Sequence, residues 1–272
     1  EIAQANDYEP KRLSELLAIA ETMGMLEQKN ERFVLTPLGQ DIERNRGFFT
    51  WAVGGYSPLL ENMDTFLTSP TMAWQPYVRG EYVAIGSDEA NQGLMQDIFD
   101  RVIDGYDAKR IADLGCGNAG RLVELLKRRS ELTGMGIDIN PQAIEVAQKN
   151  ISQNGLTGKI DLVCENVFTS LTEPRPELND VELVMSFMML HDLFNIEELR
   201  GKLFTKMKEA FPEARYFVFA DTCLDEHDHD AQTMPVFTMG YELIHQMRGI
   251  RLFPVDYYRE QFDKEGLELI AQ

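Results

Sequence analysis

Residues 109–120 read Lys109-Arg-Ile-Ala-Asp113-Leu-Gly115-Cys-Gly117-Asn-Ala-Gly120. A short apolar strand climbs to Asp113, glycines follow as Gly115-x-Gly117-x-x-Gly120, and a helical stretch runs on from Gly120 to about Arg129. A strand that hands over to a helix through such a turn opens a doubly wound α/β sheet. Ligands of such sheets lie at the carboxyl ends of the strands.

The grammar continues downstream. A second strand ends at Asp138, Pro141–Asn150 is helical, and Ile160–Cys164, Val181–Phe187 and Tyr216–Ala220 complete five strands. Alternation of this kind implies a parallel, Rossmann-like sheet. Upstream, residues 10–26 repeat apolar side chains near a 3.6 period until Gly24. Two short strands, Met25–Gln28 and Arg32–Thr36, flank a Lys-Asn-Glu turn, and Pro37 opens another helix. Helix, hairpin and helix suggest a smaller winged-helix-like or dimerisation module over 1–48. Residues 49–105, rich in aromatics and methionine, read as a helical linker that contributes to a substrate pocket. Residues 106–272 read as the ligand-binding α/β domain.

The chain has 272 residues with 45 acidic and 26 basic side chains, a net charge of −19. That field repels nucleic acids and anionic membranes. The N-terminal module is itself acidic, with six Lys/Arg against nine Asp/Glu, which argues against DNA binding. Cys116, Cys164 and Cys223 show no paired spacing, so a disulfide framework is not expected and a reducing cytoplasm fits. No apolar run is long enough to span a bilayer. The chain starts at Glu1 with no signal-peptide pattern and no initiator Met, which suggests that both ends are trimmed.

A Gly-x-Gly-x-x-Gly turn fits dinucleotides as well as other nucleosides. Asp138, ending the second strand, is placed to accept from ribose hydroxyls in either case. Asp113 discriminates. A pyrophosphate on the loop would meet its like charge, whereas the ammonium and sulfonium of S-adenosylmethionine would be attracted. The expected cofactor set is Asp113, Gly115, Gly117, Asp138, Ile139, Asn166, Val167 and Ser186, with Asn166 facing the adenine amine.

The fourth strand is followed by His191-Asp192, just beyond a strand end and beside the expected methyl donor, so both are candidate catalytic residues. Asn195-Ile-Glu-Glu198 reads as a capping box starting a helix. His227 and His229 lie in the acidic run Asp225-Glu-His-Asp-His-Asp230, read as a solvated loop. His245 lies in the helical stretch Tyr241–Gly249, which can fold over the strand ends and bring His245 to His191. Two histidines with a neighbouring carboxylate resemble an Fe(II)-type site, so a divalent transition metal on His191 and His245 is one expectation.

Asp113-Leu-Gly-Cys-Gly with Gly-Ile-Asp138-Ile-Asn resembles the class I S-adenosylmethionine-dependent methyltransferase fingerprint. The winged-helix-like start and the His191-Asp192 pair are shared with small-molecule O-methyltransferases. Phe48-Phe-Thr-Trp51-Ala-Val-Gly-Gly-Tyr56, Arg79, His191-Asp192 and Tyr241-Glu-Leu-Ile-His245 resemble more closely the bacterial 2-oxo acid C-methyltransferases of natural product biosynthesis. That resemblance implies a metal on His191 and His245, a pocket including Trp51, Tyr56 and Arg79, and a homodimer. Arg79 would pair with the substrate carboxylate, and Asp192, or a metal-bound water, would remove the β-proton to give a metal-stabilised enolate. The alternative is a metal-independent O-methyltransferase with His191 as general base. A ligand-sensing winged-helix regulator and an NAD-dependent oxidoreductase are the readings from other classes.

Overall fold

Five strands form the central sheet, and a two-stranded hairpin precedes them. In chain order they are β1 (Leu26–Lys29), β2 (Arg32–Leu35), β3 (Arg110–Leu114), β4 (Thr133–Asp138), β5 (Ile160–Cys164), β6 (Leu183–Phe187) and β7 (Tyr216–Ala220). The sheet order is β5-β4-β3-β6-β7, and every pairing in it is parallel. The computed structural model describes residues 2–30, 32–69, 72–173, 175–224 and 236–272, with backbone alone at 236–239. The His227/His229 run therefore lies outside the described residues.

Side-chain alternation along a strand sorts the core into two layers. Ala112 and Leu114 of β3 pack with Met135, Ile137 and Val184 beneath the helices Leu203–Ala210 and Val255–Lys264. Ile111 of the same strand packs on the opposite face with Leu183 and Met185, beneath the helices Gln96–Asp104, Gly120–Arg128 and Pro141–Gln153. Truncating Leu122, fully buried in this second layer, to Ala is expected to cost about 2–5 kcal/mol. Among the described residues, no helix is long and apolar enough to cross a membrane.

The N-terminal order is as expected: helix Pro10–Thr22, the β1–β2 hairpin, then helix Pro37–Arg44. Helix Pro10–Thr22 buries no residue, and Leu16, Ile19 and Met23 on and just after it are exposed. The next segment approaches the sheet through a π-helical stretch, Thr50–Gly55, a feature enriched at functional sites. It runs backbone to backbone against helix Gly80–Ala90. A Cβ on Gly86 would lie 2.5 Å from the Trp51 nitrogen and 2.6 Å from the Gly47 oxygen, so only glycine permits this crossing. Trp51, Tyr56 and Leu59 then close a third apolar cluster with Tyr241, Ile244 and Leu252, which fastens helix Val236–Met247 over the strand ends.

One local reading is corrected. Asn195 does not start a helix; it ends one. His191 and Asp192 sit in the short helix Leu190–Phe194, and the chain then makes a single 3-10 turn at Glu197–Leu199. The Asn195 amide instead donates to the carbonyls of His191 and Arg251 and accepts from the Arg251 N–H. It pins the segment after the His245 helix to the His191 helix.

Candidate active site

The glycine loop lies where β3 and β4 end together. Gly115 and Gly117 both have positive φ, 73° and 54°, which tightens the turn. Gly115 N–H and Cys116 N–H donate to Ile137 O, Gly117 N–H to Asp138 Oδ2 at 2.8 Å, and Gly120 N–H to Asn118 Oδ1. Asp138 Oδ1 accepts from Asn140 N–H, so this carboxylate is fixed by backbone on both sides of the cleft. Ile139 beyond it is an exposed apolar side chain. Asn166 stands at the end of β5 and caps helix Val167–Thr172 through Oδ1, while the Val167 side chain turns into the core. Ser186, near the end of β6, is buried with no hydrogen-bond partner for its Oγ among the described residues.

Asp113 departs from its expected role. Its side chain is 0% exposed, and both carboxylate oxygens accept from Arg121 Nη1 at 2.9 Å. The cause is strand parity: Asp113 shares the face of Ile111, on which helix Gly120–Arg128 packs. Burial pushes its carboxyl up to about 6 against the opposing pull of Arg121, and the nearby Asp138 adds to the rise. Its charge is thus compensated from within and does not stand bare before a ligand.

The two histidines do meet. Their ring centroids are 5.0 Å apart at 74°. His245 lies against the Tyr241 and Trp51 rings, at 4.1 and 5.9 Å. Its Nδ1 bonds the Tyr241 carbonyl at 2.8 Å, so Nδ1 carries the proton and Nε2 keeps its lone pair. Burial lowers its pKa to about 3, aided by His191 and Arg248, and the ring stays neutral. His191 Nδ1 contacts Asp221 Oδ1 at 2.5 Å, and Asp221 Oδ2 accepts from the His191 N–H at 2.7 Å. Burial alone would lower the His191 pKa, but the hydrogen bond and charge of Asp221 outweigh it and the value rises. Asp192 Oδ1 lies 3.9 Å from His191 Nε2, and burial raises its carboxyl against the pull of His191 and Arg248.

A cavity of about 200 Å³ opens at this point. Its polar lining includes His191, Asp192, His245, Tyr56 and Arg248; its apolar lining includes Phe48, Trp51, Val83, Leu94, Met95, Phe187 and Met188. Trp51 and Tyr56 both line this cavity. Arg79 does not: it is exposed, precedes helix Gly80–Ala90, and is absent from the described lining. Arg248 lines the cavity instead. Its guanidinium carbon lies 4.6 Å from the Trp74 ring centroid, its Nη1 donates to Tyr56 Oη at 3.2 Å, and its Nε is buried with no partner among the described residues.

Asp221 and Arg248 are the two residues the sequence reading missed. Asp221 directly follows β7, and Phe187 pairs with Ala220 in register, so both strands end at the same level. Arg248 comes three residues after His245, in the turn that ends the helix, where its N–H donates to the carbonyls of Ile244 and His245, and that spacing keeps it on the side of His245.

Comparison with known proteins gives consistent findings. A family model described as a methyltransferase domain matches residues 106–249, more than half of the chain. Methyltransferase ungE' of Aspergillus campestris (strain IBT 28561) is 25% identical over 282 residues, covering 100% of this chain and 82% of that protein. The indolepyruvate C-methyltransferase of Streptomyces griseus is 24% identical over 256 residues, covering 94% of this chain and 74% of its own. The solved structure of the pyocyanin biosynthetic protein PhzM has the same fold, with a TM-score of 0.65 at 15% identity over 97% of this chain and 80% of that one.

Proposed function

The chain belongs to the methyltransferase domain family and is an S-adenosylmethionine-dependent methyltransferase of the small-molecule type; from that premise we propose that its acceptor is a 2-oxo acid, methylated at the β-carbon. One observation carries this reading. A single cavity presents a cation with an unpartnered donor, Arg248, beside two histidines whose Nε2 atoms are the available lone pairs. A molecule with a carboxylate next to a second oxygen suits that combination. The similarity to an indolepyruvate C-methyltransferase over most of both chains points the same way.

Arg248 would receive the carboxylate through Nε and its free edge, since Nη1 is engaged by Tyr56. Trp74 and Tyr56 hold the guanidinium in place. The acceptor side chain would lie against Phe48, Met95 and Phe187, which exclude water. Asp192, its carboxyl raised by burial, is a stronger base than a solvated carboxylate and would take the β-proton. The β-carbon then forms its bond to the methyl group as the sulfur–methyl bond breaks, leaving S-adenosylhomocysteine.

The donor set fits a divalent transition ion. Both histidines have Nδ1 occupied by an oxygen acceptor, Asp221 for one and Tyr241 O for the other, the arrangement that orients imidazoles toward metals through Nε2. Among the described residues no group of three His, Cys, Asp or Glu forms a metal site, so His191 and His245 would hold the ion as a pair. When bound it supplies Lewis acidity that acidifies the β-carbon.

The His191–Asp221 contact favours a second reading, in which His191 is the general base for a hydroxyl acceptor and no metal takes part. Incubation with S-adenosylmethionine and either indolepyruvate or a phenolic acceptor, with the product methyl located by NMR, separates the two. Methyl on oxygen only would remove the first reading. The exposed Leu16, Ile19 and Met23 support self-association through the N-terminal unit.

A further inference from the structure

Helix Gly80–Ala90 turns one face to the acceptor cavity. Val83, Gly86, Ser87 and Ala90 all belong to the described lining, and Leu94 continues it past the helix end. Spacings of three and four residues mark a single stripe, and Ser87, four after Val83 and three before Ala90, lies within it. Gly86 abuts the backbone of Trp51, and Gly47 abuts that of Ala90, so the stripe faces the segment that carries Phe48 and Trp51. Every other side chain of the stripe is apolar. The Ser87 residue is half-buried, and its hydroxyl has no hydrogen-bond partner among the described residues, yet it is not sealed from the cavity. Helical hydroxyls often turn back on their own chain: Thr22 donates to Ala18 O, Thr68 to Asp64 O and Thr172 to Phe168 O. Ser87 makes no such bond.

Resting on the 2-oxo acid reading, we propose that Ser87 is a specificity-determining residue: it selects acceptors whose aromatic side chain carries an N–H or O–H, as an indole does, over plain hydrocarbon ones. A hydroxyl in an apolar wall is served by water until a ligand enters. A hydrocarbon side chain would displace that water and leave the hydroxyl unpaired, which weakens binding; a side chain with a polar hydrogen restores the bond. The preference for a donor over an acceptor follows from the helix. The Ser87 proton has a local outlet, the Val83 carbonyl four residues back, whereas its lone pairs have none. The ligand group that completes the set is therefore one that donates. The rings of Phe48, Trp51 and Phe187 suit the flat body of such an acceptor. A pocket that hydrogen-bonds a ligand N–H or O–H rejects the analogue without it more sharply than an apolar pocket sorts shapes.

The test compares indolepyruvate with its benzothiophene isostere, in which sulfur replaces the N–H, using the full chain as wild type and as Ser87→Ala. S-adenosylhomocysteine release gives kcat/KM for each acid, and NMR locates the methyl group in each product. Wild type is expected to favour indolepyruvate about ten-fold. In Ser87→Ala the preference should fall to within about two-fold, with the isostere gaining as well as indolepyruvate losing, because the unpaired hydroxyl is gone. Alanine suits a helix interior, so the variant folds, and its affinity for S-adenosylhomocysteine by calorimetry should match wild type. Equal kcat/KM for the two acids in wild type overturns the proposal, as does a preference that Ser87→Ala leaves unchanged. An equal loss on both acids in Ser87→Ala overturns it too, since that marks a packing role alone. In all three of these outcomes the acids are still methylated at the β-carbon and the 2-oxo acid reading stands. No C-methylated product from either acid refutes that reading, and the Ser87 proposal falls with it.

Discussion

Replacing Arg248 with leucine removes the one cation in the described lining of the acceptor cavity. The structure gives the size of the effect. Nη1 is committed to Tyr56 and Nε has no partner among the described residues, so a carboxylate would accept from Nε and the adjacent edge. A hydrogen bond to a charged group is worth about 1.5–3 kcal/mol. Because Arg248 is only half-buried, the lower part of that range applies, and two such bonds amount to about 3 kcal/mol. At about 1.4 kcal/mol per decade this is roughly a hundred-fold in kcat/KM. A second consequence is separate: Arg248 is among the groups that hold the Asp192 carboxyl down, and its loss lets burial raise that group further, which would move the acid limb of the pH–rate profile upward. Arg248→Lys keeps the charge without the fork and should lose about ten-fold. The assay is S-adenosylhomocysteine release with indolepyruvate as the varied substrate, beside the corresponding neutral amide. The amide should be a poor acceptor for wild type and no worse for Arg248→Leu. An unchanged KM for the acid in Arg248→Leu would refute the carboxylate assignment, and the 2-oxo acid reading with it.

Three more predictions test other parts. Purified protein should carry about one transition metal ion per chain, lost in His245→Ala by elemental analysis, and a chelator should stop turnover until ferrous iron is restored; full turnover in chelator would leave only the O-methylation reading. The Asp113 carboxyl, raised to about 6 by burial from an ordinary value near 4, binds its proton in the folded state before the unfolded chain does. This group therefore weighs against folding above pH 6, and the penalty, at most about 3 kcal/mol, is relieved as pH falls toward 4. In melting curves from pH 7.5 to 5, wild type should gain on Asp113→Asn, and a constant gap would show the carboxyl to be unperturbed. Leu16→Glu combined with Ile19→Glu should convert a dimer to a monomer in sedimentation velocity, since both side chains are exposed in the single chain; an unchanged sedimentation coefficient would move any interface elsewhere.

What the sequence made legible is what depends on neighbours along the chain. Ile160–Cys164 and Tyr216–Ala220 are strands over just those residues, because β-rich runs bounded by turn signals need no tertiary information. His191 and His245 were also within reach, since loops after parallel strands gather at one edge of the sheet. Asp221 was not, although it obeys the same rule. One acid among 45 carries no local mark, and only the register of β6 against β7 shows that it meets His191. Arg79 and Arg248 reverse for a similar reason. Which arginine enters the cavity is decided by how helix Val236–Met247 seats against Trp51 through Tyr241; the spacing from His245 ties Arg248 to that histidine, but nothing local shows that the pair turns inward.

The glycine loop shows how a sound expectation can rest on an incomplete cause. The bare charge of Asp113 was to turn phosphates away, but Arg121 compensates it. The discrimination lies instead in the backbone. A pyrophosphate is held by loop N–H groups left free to point at it. Here Gly115 and Cys116 give theirs to Ile137 O, Gly117 to Asp138, Ala119 to Cys116 O and Gly120 to the Asn118 side chain. A loop with these five donors spent on its own oxygens has little left to offer a phosphate. It still presents Asp138, each oxygen of which accepts one backbone N–H and keeps a further lone pair for a ribose hydroxyl. The same hydrogen bonds that shape the turn thus suit it better to a nucleoside without phosphates, which is what a sulfonium methyl donor is, than to a pyrophosphate.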